Sequence, residues 1–135
     1  MSAFSDYLED KLLRMTLRGE AFVPPAQLFI ALYTSPTGDL EGTGAELVGN
    51  AYARIRVTFG EPIPDTDGST YCANDTDLRS PRPSTGVWGV VSHFALYDAP
   101  VGGNRLYHGP FLEPRVFETN DLFFAQAGDI KIKLN

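Results

Sequence analysis

Apolar positions in the first eighteen residues recur at helical spacing. Phe4, Leu8, Leu12 and Met15 follow one another at intervals of four, four and three, which places them on one stripe with Leu13 and Leu17 flanking. The spacing predicts an amphipathic helix over residues 4–18. Asp6 and Glu9 have the capping-box spacing and suit the positive end of the helix dipole; Lys11, Arg14 and Arg18 lie toward the other end, and Gly19 supplies the stop. A helix with such a stripe needs a surface to lie on, either its own sheet or a neighbouring molecule.

Beyond Val23-Pro24-Pro25 the period changes. Residues 27–33, QLFIALY, form a continuous apolar run of strand length and read as a strand buried on both faces. Residues 34–50 are dense in Gly, Thr and acids and predict a loop. From Tyr52 to Phe59 the chain alternates: Ala53, Ile55, Val57 and Phe59 face one way, and Tyr52, Arg54, Arg56 and Thr58 the other. That predicts a half-buried strand with a cationic outer face. Residues 60–86 are polar and Pro-rich, lack strong periodicity, and predict a long surface loop inserted into the fold. From Val87 onward strand signals follow closely (VWGVVSHFALY, RLYHGPF, RVFE, DLFFAQ, DIKIKL), separated by short turns. Short strands at this spacing argue for a mainly β, single-domain antiparallel β-sandwich or jelly-roll-like fold over 26–135, preceded by the one N-terminal amphipathic α-helix.

Length and charge narrow the function classes. A chain of 135 residues can bury a core without staples, and folded compactly it measures about 35–40 Å across. Alone it makes no long fibre. The net charge of −6 disfavours a nucleic-acid partner, which would require a basic footprint on phosphate. A single Cys excludes an internal disulfide and a cysteine-rich zinc site. No apolar run approaches the roughly 18 residues of a membrane span, and the first residues lack the pattern of a secretion signal. The expected product is a chain made in the cytoplasm, with no membrane partner.

Candidate chemistry is thin. Asp65-Thr66-Asp67-Gly68-Ser69 resembles the start of a calcium loop, but an EF-hand counted from Asp65 requires Gly and Glu where Thr70 and Thr76 stand. Asp75 and Asp77 would serve only an irregular site. His93 and His108 lack zinc spacing, and His93 reads as a core or interface histidine. Cys72 lies among acids, a setting that disfavours its thiolate. Ser92-His93 has no nucleophile elbow around it, and the glycine pairs precede no helix. The sequence therefore predicts no catalytic residues, no metal and no cofactor. The aromatic residues from Trp88 to Phe124 read as sandwich core, with Trp88 the one candidate for an exposed sugar platform.

The order of segments carries a resemblance. YLEDKLLRMTLRG, FVPPAQLFIALYTSPTGD, GTGAELVGNAYARIRVTF, GVWGVVSHFALYDAPVGGNRLYHGPF and AGDIKIKLN together resemble the small tailed-bacteriophage virion proteins known as phage tail fibre proteins, of the mycobacteriophage Gp80-like type. The likeness covers nearly the whole chain apart from about 60–82. It implies a structural role in the virion and brings no active-site residues. A compact acidic domain without heptads or fibre repeats suits a small subunit repeated on a lattice. The first expectation is therefore a capsid cement or decoration protein, a homotrimer clamping neighbouring major capsid proteins on the capsid surface. The alternative is a tail-fibre or baseplate part; a receptor- or sugar-binding module comes third. The expected interface residues are Phe4, Leu8, Leu12 and Met15 of the helix, with Arg54 and Arg56 of the strand, beside the loops 34–50 and 60–86.

Overall fold

The computed structural model describes residues 3–40 and 42–135; Met1, Ser2 and Glu41, the last within the predicted loop 34–50, lie outside the described residues. The chain runs β1 (Ala3–Phe4), α1 (Asp6–Arg18), β2 (Leu28–Tyr33), β3 (Ile55–Val57), β4 (Ile63–Pro64), β5 (Thr70–Ala73), β6 (Leu78–Arg79), β7 (Gly89–Tyr97), β8 (Arg105–Phe117), β9 (Phe124–Ala125) and β10 (Lys131–Leu134). It is mainly β, as the strand signals predict, and every strand pairing is antiparallel.

A five-stranded sheet in the order β1-β8-β7-β2-β3 forms one layer. The three-stranded sheet β10-β5-β4 and the pair β6-β9 form the other. The core lies between the layers. Ile30, Leu32, Ile55, Val57, Val91, Phe94, Leu96 and Phe117 meet Leu78, Phe123, Ala125, Ile130 and Ile132 across it. Trp88 belongs to this core and donates its indole N–H to the carbonyl of Asn50 at 3.0 Å, so it is not a sugar platform. Burial of each such aliphatic or aromatic side chain contributes about 1.5–3 kcal/mol.

β2 is buried on both faces, as its unbroken apolar run predicts. Ile30 and Leu32 point into the core, while Ala31 and Tyr33 join Ala95 and Tyr97 in a second cluster on the opposite face. That second face is roofed by the segment after β2, which bridges back at Tyr33–Glu46. Gly44 makes the close approach possible: its φ is 87°, and a Cβ there would sit 2.9 Å from the Pro36 carbonyl and 3.0 Å from the Tyr33 ring.

Two expectations are corrected. The predicted helix begins later than Phe4, which instead pairs with Tyr107 in β1. The cap is Ser5, extended at φ −78° and ψ 160°, whose hydroxyl accepts the Leu8 N–H at 3.1 Å. That hydroxyl also donates to the Arg105 carbonyl, so the cap is tied into the sheet. Residues 60–86 are not a surface loop: they supply β4, β5 and β6, and Leu78, Asn74 and Ser84 are buried. Polar composition concealed this because the segment is closed by side-chain bonds. Asn74 donates to the carbonyls of Thr76 and Gln126 and accepts from the N–H groups of Gly128 and Ile130, with N···O distances of 2.8–3.1 Å.

Candidate functional site

The N-terminal helix is held at one end. Leu8 is 5% exposed, and α1 packs on β8 and β1. One turn on, Leu12 is only half-buried, and Met15 is exposed. The flanking pair is the more exposed: Leu13 at 58% and Leu17 at 77% lie on the side away from Leu8, on a helix of 13 residues and about 20 Å. Gly19, at φ 68°, ends the helix, and the returning segment exposes Val23. Of the four expected helix contacts, Phe4 and Leu8 therefore anchor the arm to its own chain. The apolar side chains that α1 leaves exposed are Leu13, Met15 and Leu17.

Arg54 and Arg56 part ways. Arg56 is exposed on β3, an edge strand, where charge discourages strand addition. Arg54 is not on a solvated face. Its side chain is 8% exposed and grips Glu46 through two N–H···O bonds of 2.9 and 3.0 Å. It also donates to the carbonyls of Ala99 and Gly102, and its guanidinium lies 3.8 Å from the Tyr97 ring centre. Tyr52 donates to Glu46 at 2.6 Å and accepts the Leu32 N–H; burial chiefly, and then the Glu46 carboxylate, push its phenol well above the ordinary range.

Sequence reasoning missed the companion of this clasp. Arg105, fully buried, donates to the hydroxyls of Tyr33, Tyr97 and Thr43 and to the carbonyls of Gly38 and Thr43. The signal was Tyr33 and Tyr97 themselves, each ending an apolar run with a polar tip that a buried position must satisfy. The two arginines and two tyrosines lock the segment 34–54 onto the sheet.

One line of groups resembles a catalytic arrangement. Thr37 Oγ1 lies 3.0 Å from His108 Nδ1, and His108 Nε2 lies 2.7 Å from Asp39 Oδ1. Hydroxyl, imidazole and carboxylate in sequence is nucleophile geometry, but the adjacent Gly38 N–H is engaged by Thr43 Oγ1 at 2.8 Å and offers nothing to an oxyanion. The trio pins the roof to β8. Among the described residues no group of three or more His, Cys, Asp or Glu side chains is arranged to hold a metal ion. No helix among them is long and apolar enough to cross a membrane. No aromatic side chain among them is exposed.

The concave surface of interest is apolar. Between the two layers opens a cleft of about 410 Å³ whose walls include Leu28, Phe59, Tyr71, Leu96, Tyr107 and Ile132. Pro62 and Leu134, both exposed, stand at its mouth, and Leu134 is 45% exposed.

The family described as Podophage GP4 fiber I protein gp80 matches residues 3–133. No curated protein matches the chain.

Proposed function

The chain belongs to this podophage fibre family, a virion component, and from that premise we propose that it is a non-catalytic structural subunit of the tail-fibre apparatus that works as a homotrimer. The observation that carries the reading is the arm: beyond Leu8, α1 presents Leu13 and Leu17 to solvent, and the β-domain adds further exposed aliphatics such as Leu112 and Val116 of β8. Exposed leucines on a capped, oriented helix are favourable only where another surface covers them. The absence of an exposed aromatic among the described residues disfavours a sugar-binding module, which relies on such platforms.

A shell-clamping role on the major capsid protein is the competing assembly, favoured by the compact form of the domain. Quantitative mass spectrometry of purified particles separates the two. A copy number close to that of other tail proteins is the expected result. A copy number close to that of the major capsid protein would overturn the fibre reading and establish the cement role.

A further inference from the structure

We infer that the N-terminal arm is exchanged between copies: in the assembled protein, β1 and α1 of one chain sit on β8 of the next chain instead of on their own. The inference rests on the homotrimer proposed above only for its stoichiometry. Its direct support is the way the arm is attached.

The ties between arm and body are gathered in residues 3–8. Ala3 and Phe4 pair with His108 and Tyr107, and the Phe4 and Tyr107 ring centres are 5.5 Å apart. The Ser5 N–H donates to the Leu106 carbonyl and the Asp6 N–H to the Asp39 carbonyl, each at 2.9 Å. The Ser5 hydroxyl donates to the Arg105 carbonyl, and Leu8 is buried. Beyond Leu8 the attachment fades. Leu12 is half-buried, and every side chain from Leu13 to Ala21 is exposed. Among the described residues, no hydrogen bond or ion pair joins residues 9–27 to any later residue; those they make stay within the arm. The seat on β8 therefore recognises residues 3–8, whichever chain supplies them.

Closed and exchanged forms share every seat contact, so the connector decides between them. Residues 19–27 join α1 to β2. Extended, they reach about 30 Å, and α1 adds about 20 Å, which is enough to bring β1 onto a neighbouring copy. Pro24 and Pro25 fix their own φ and hold Val23 and Pro24 extended, so the connector spans readily and bends back poorly. Leu13, Leu17 and Val23 act in the same direction. They are bare in the closed form, and contacts among the arms and connectors of joined copies cover them only after exchange. Arm and seat are different patches, so exchange runs from each copy to the next and closes as a ring. With three copies it gives the trimer.

Cysteines placed across the seat report whose arm fills it. Phe4→Cys and Tyr107→Cys face each other in the β1–β8 pairing, and Cys72→Ser removes the native thiol. The double variant, oxidised while folded and run on a denaturing gel without reductant, is expected to give covalently joined chains up to three. The two single variants, mixed in urea and refolded together, are expected to give a two-chain product. A double variant linked only within single chains, or single variants that stay unlinked, would overturn the exchange. Pro24→Gly with Pro25→Gly tests the same point without touching the seat. Urea unfolding checks that it remains folded, and sedimentation velocity is expected to show association weakened about tenfold or more, because the connector now bends back freely. Unchanged association would count against the exchange. A wild type of three chains whose cysteines link internally overturns the exchange and leaves the trimer. A monomeric wild type overturns both, and tail-like copy number in virions would then leave the fibre reading standing by itself.

Discussion

At Arg54 one side chain performs four tasks: it neutralises Glu46, satisfies two turn carbonyls and covers the Tyr97 ring. Truncation leaves a largely covered carboxylate without its cation. Arg54→Ala is therefore predicted to lose about 2–4 kcal/mol of unfolding free energy in urea, whereas Arg56→Ala, at an exposed edge, stays within about 0.5 kcal/mol. Arg54 reads as a solvated strand charge because alternation reports which side a residue faces, not whether another segment lies on that side. His93 adds a pH dependence. Burial chiefly, and His108 secondarily, hold its imidazole below the ordinary value. The unfolded chain then binds the proton more readily, so His93 contributes stability above about pH 6.5 that is lost as the pH falls through the folded value. Melting curves at pH 7.5 and 5.0 should show a smaller acid-induced fall for His93→Gln than for the wild type; an unchanged fall would place the dependence elsewhere.

The helix and the segment 60–86 show how far local pattern reaches. Leu8→Ala is expected to free α1 and lose about 2–3 kcal/mol, while Leu13→Ala and Leu17→Ala leave stability nearly unchanged. Hydrogen exchange provides a second reading: amides of Leu12 to Arg18 should exchange much faster than those of Ile30 to Leu32, whose strand is paired on both sides. The helix was legible because its spacing is a property of eleven or twelve consecutive residues. So was β2, whose continuous apolar run required two covered faces. The helix start was not: Ser5, whose hydroxyl caps the Leu8 N–H, is held in place by donating to the Arg105 carbonyl, a hundred positions away. The strands within 60–86 were not legible either, since their order comes from Asn74 reaching the 126–130 turn and from Lys131–Leu134 pairing with Thr70–Ala73. Asn74→Ala, which leaves several backbone groups unpartnered, is predicted to lose about 2–4 kcal/mol by urea unfolding. A loss below 1 kcal/mol would return the segment to the status of a loop.

At the scale of the whole molecule the candidate surfaces were half legible. The sequence pointed to the amphipathic helix and to Phe4, Leu8, Leu12 and Met15 on it; the chain uses Phe4 and Leu8 itself and leaves Met15 exposed. The cleft was invisible, because Leu28, Tyr107 and Ile132 meet only once three distant strands are in register. With a compact β-body and one projecting arm, the molecule suits a repeated unit in a larger fibre and not a shaft in itself. Antibody-gold labelling of this chain on intact particles, viewed by electron microscopy, tests that claim most directly. The account predicts gold confined to the tail and its fibres. Gold spread over the head would contradict it.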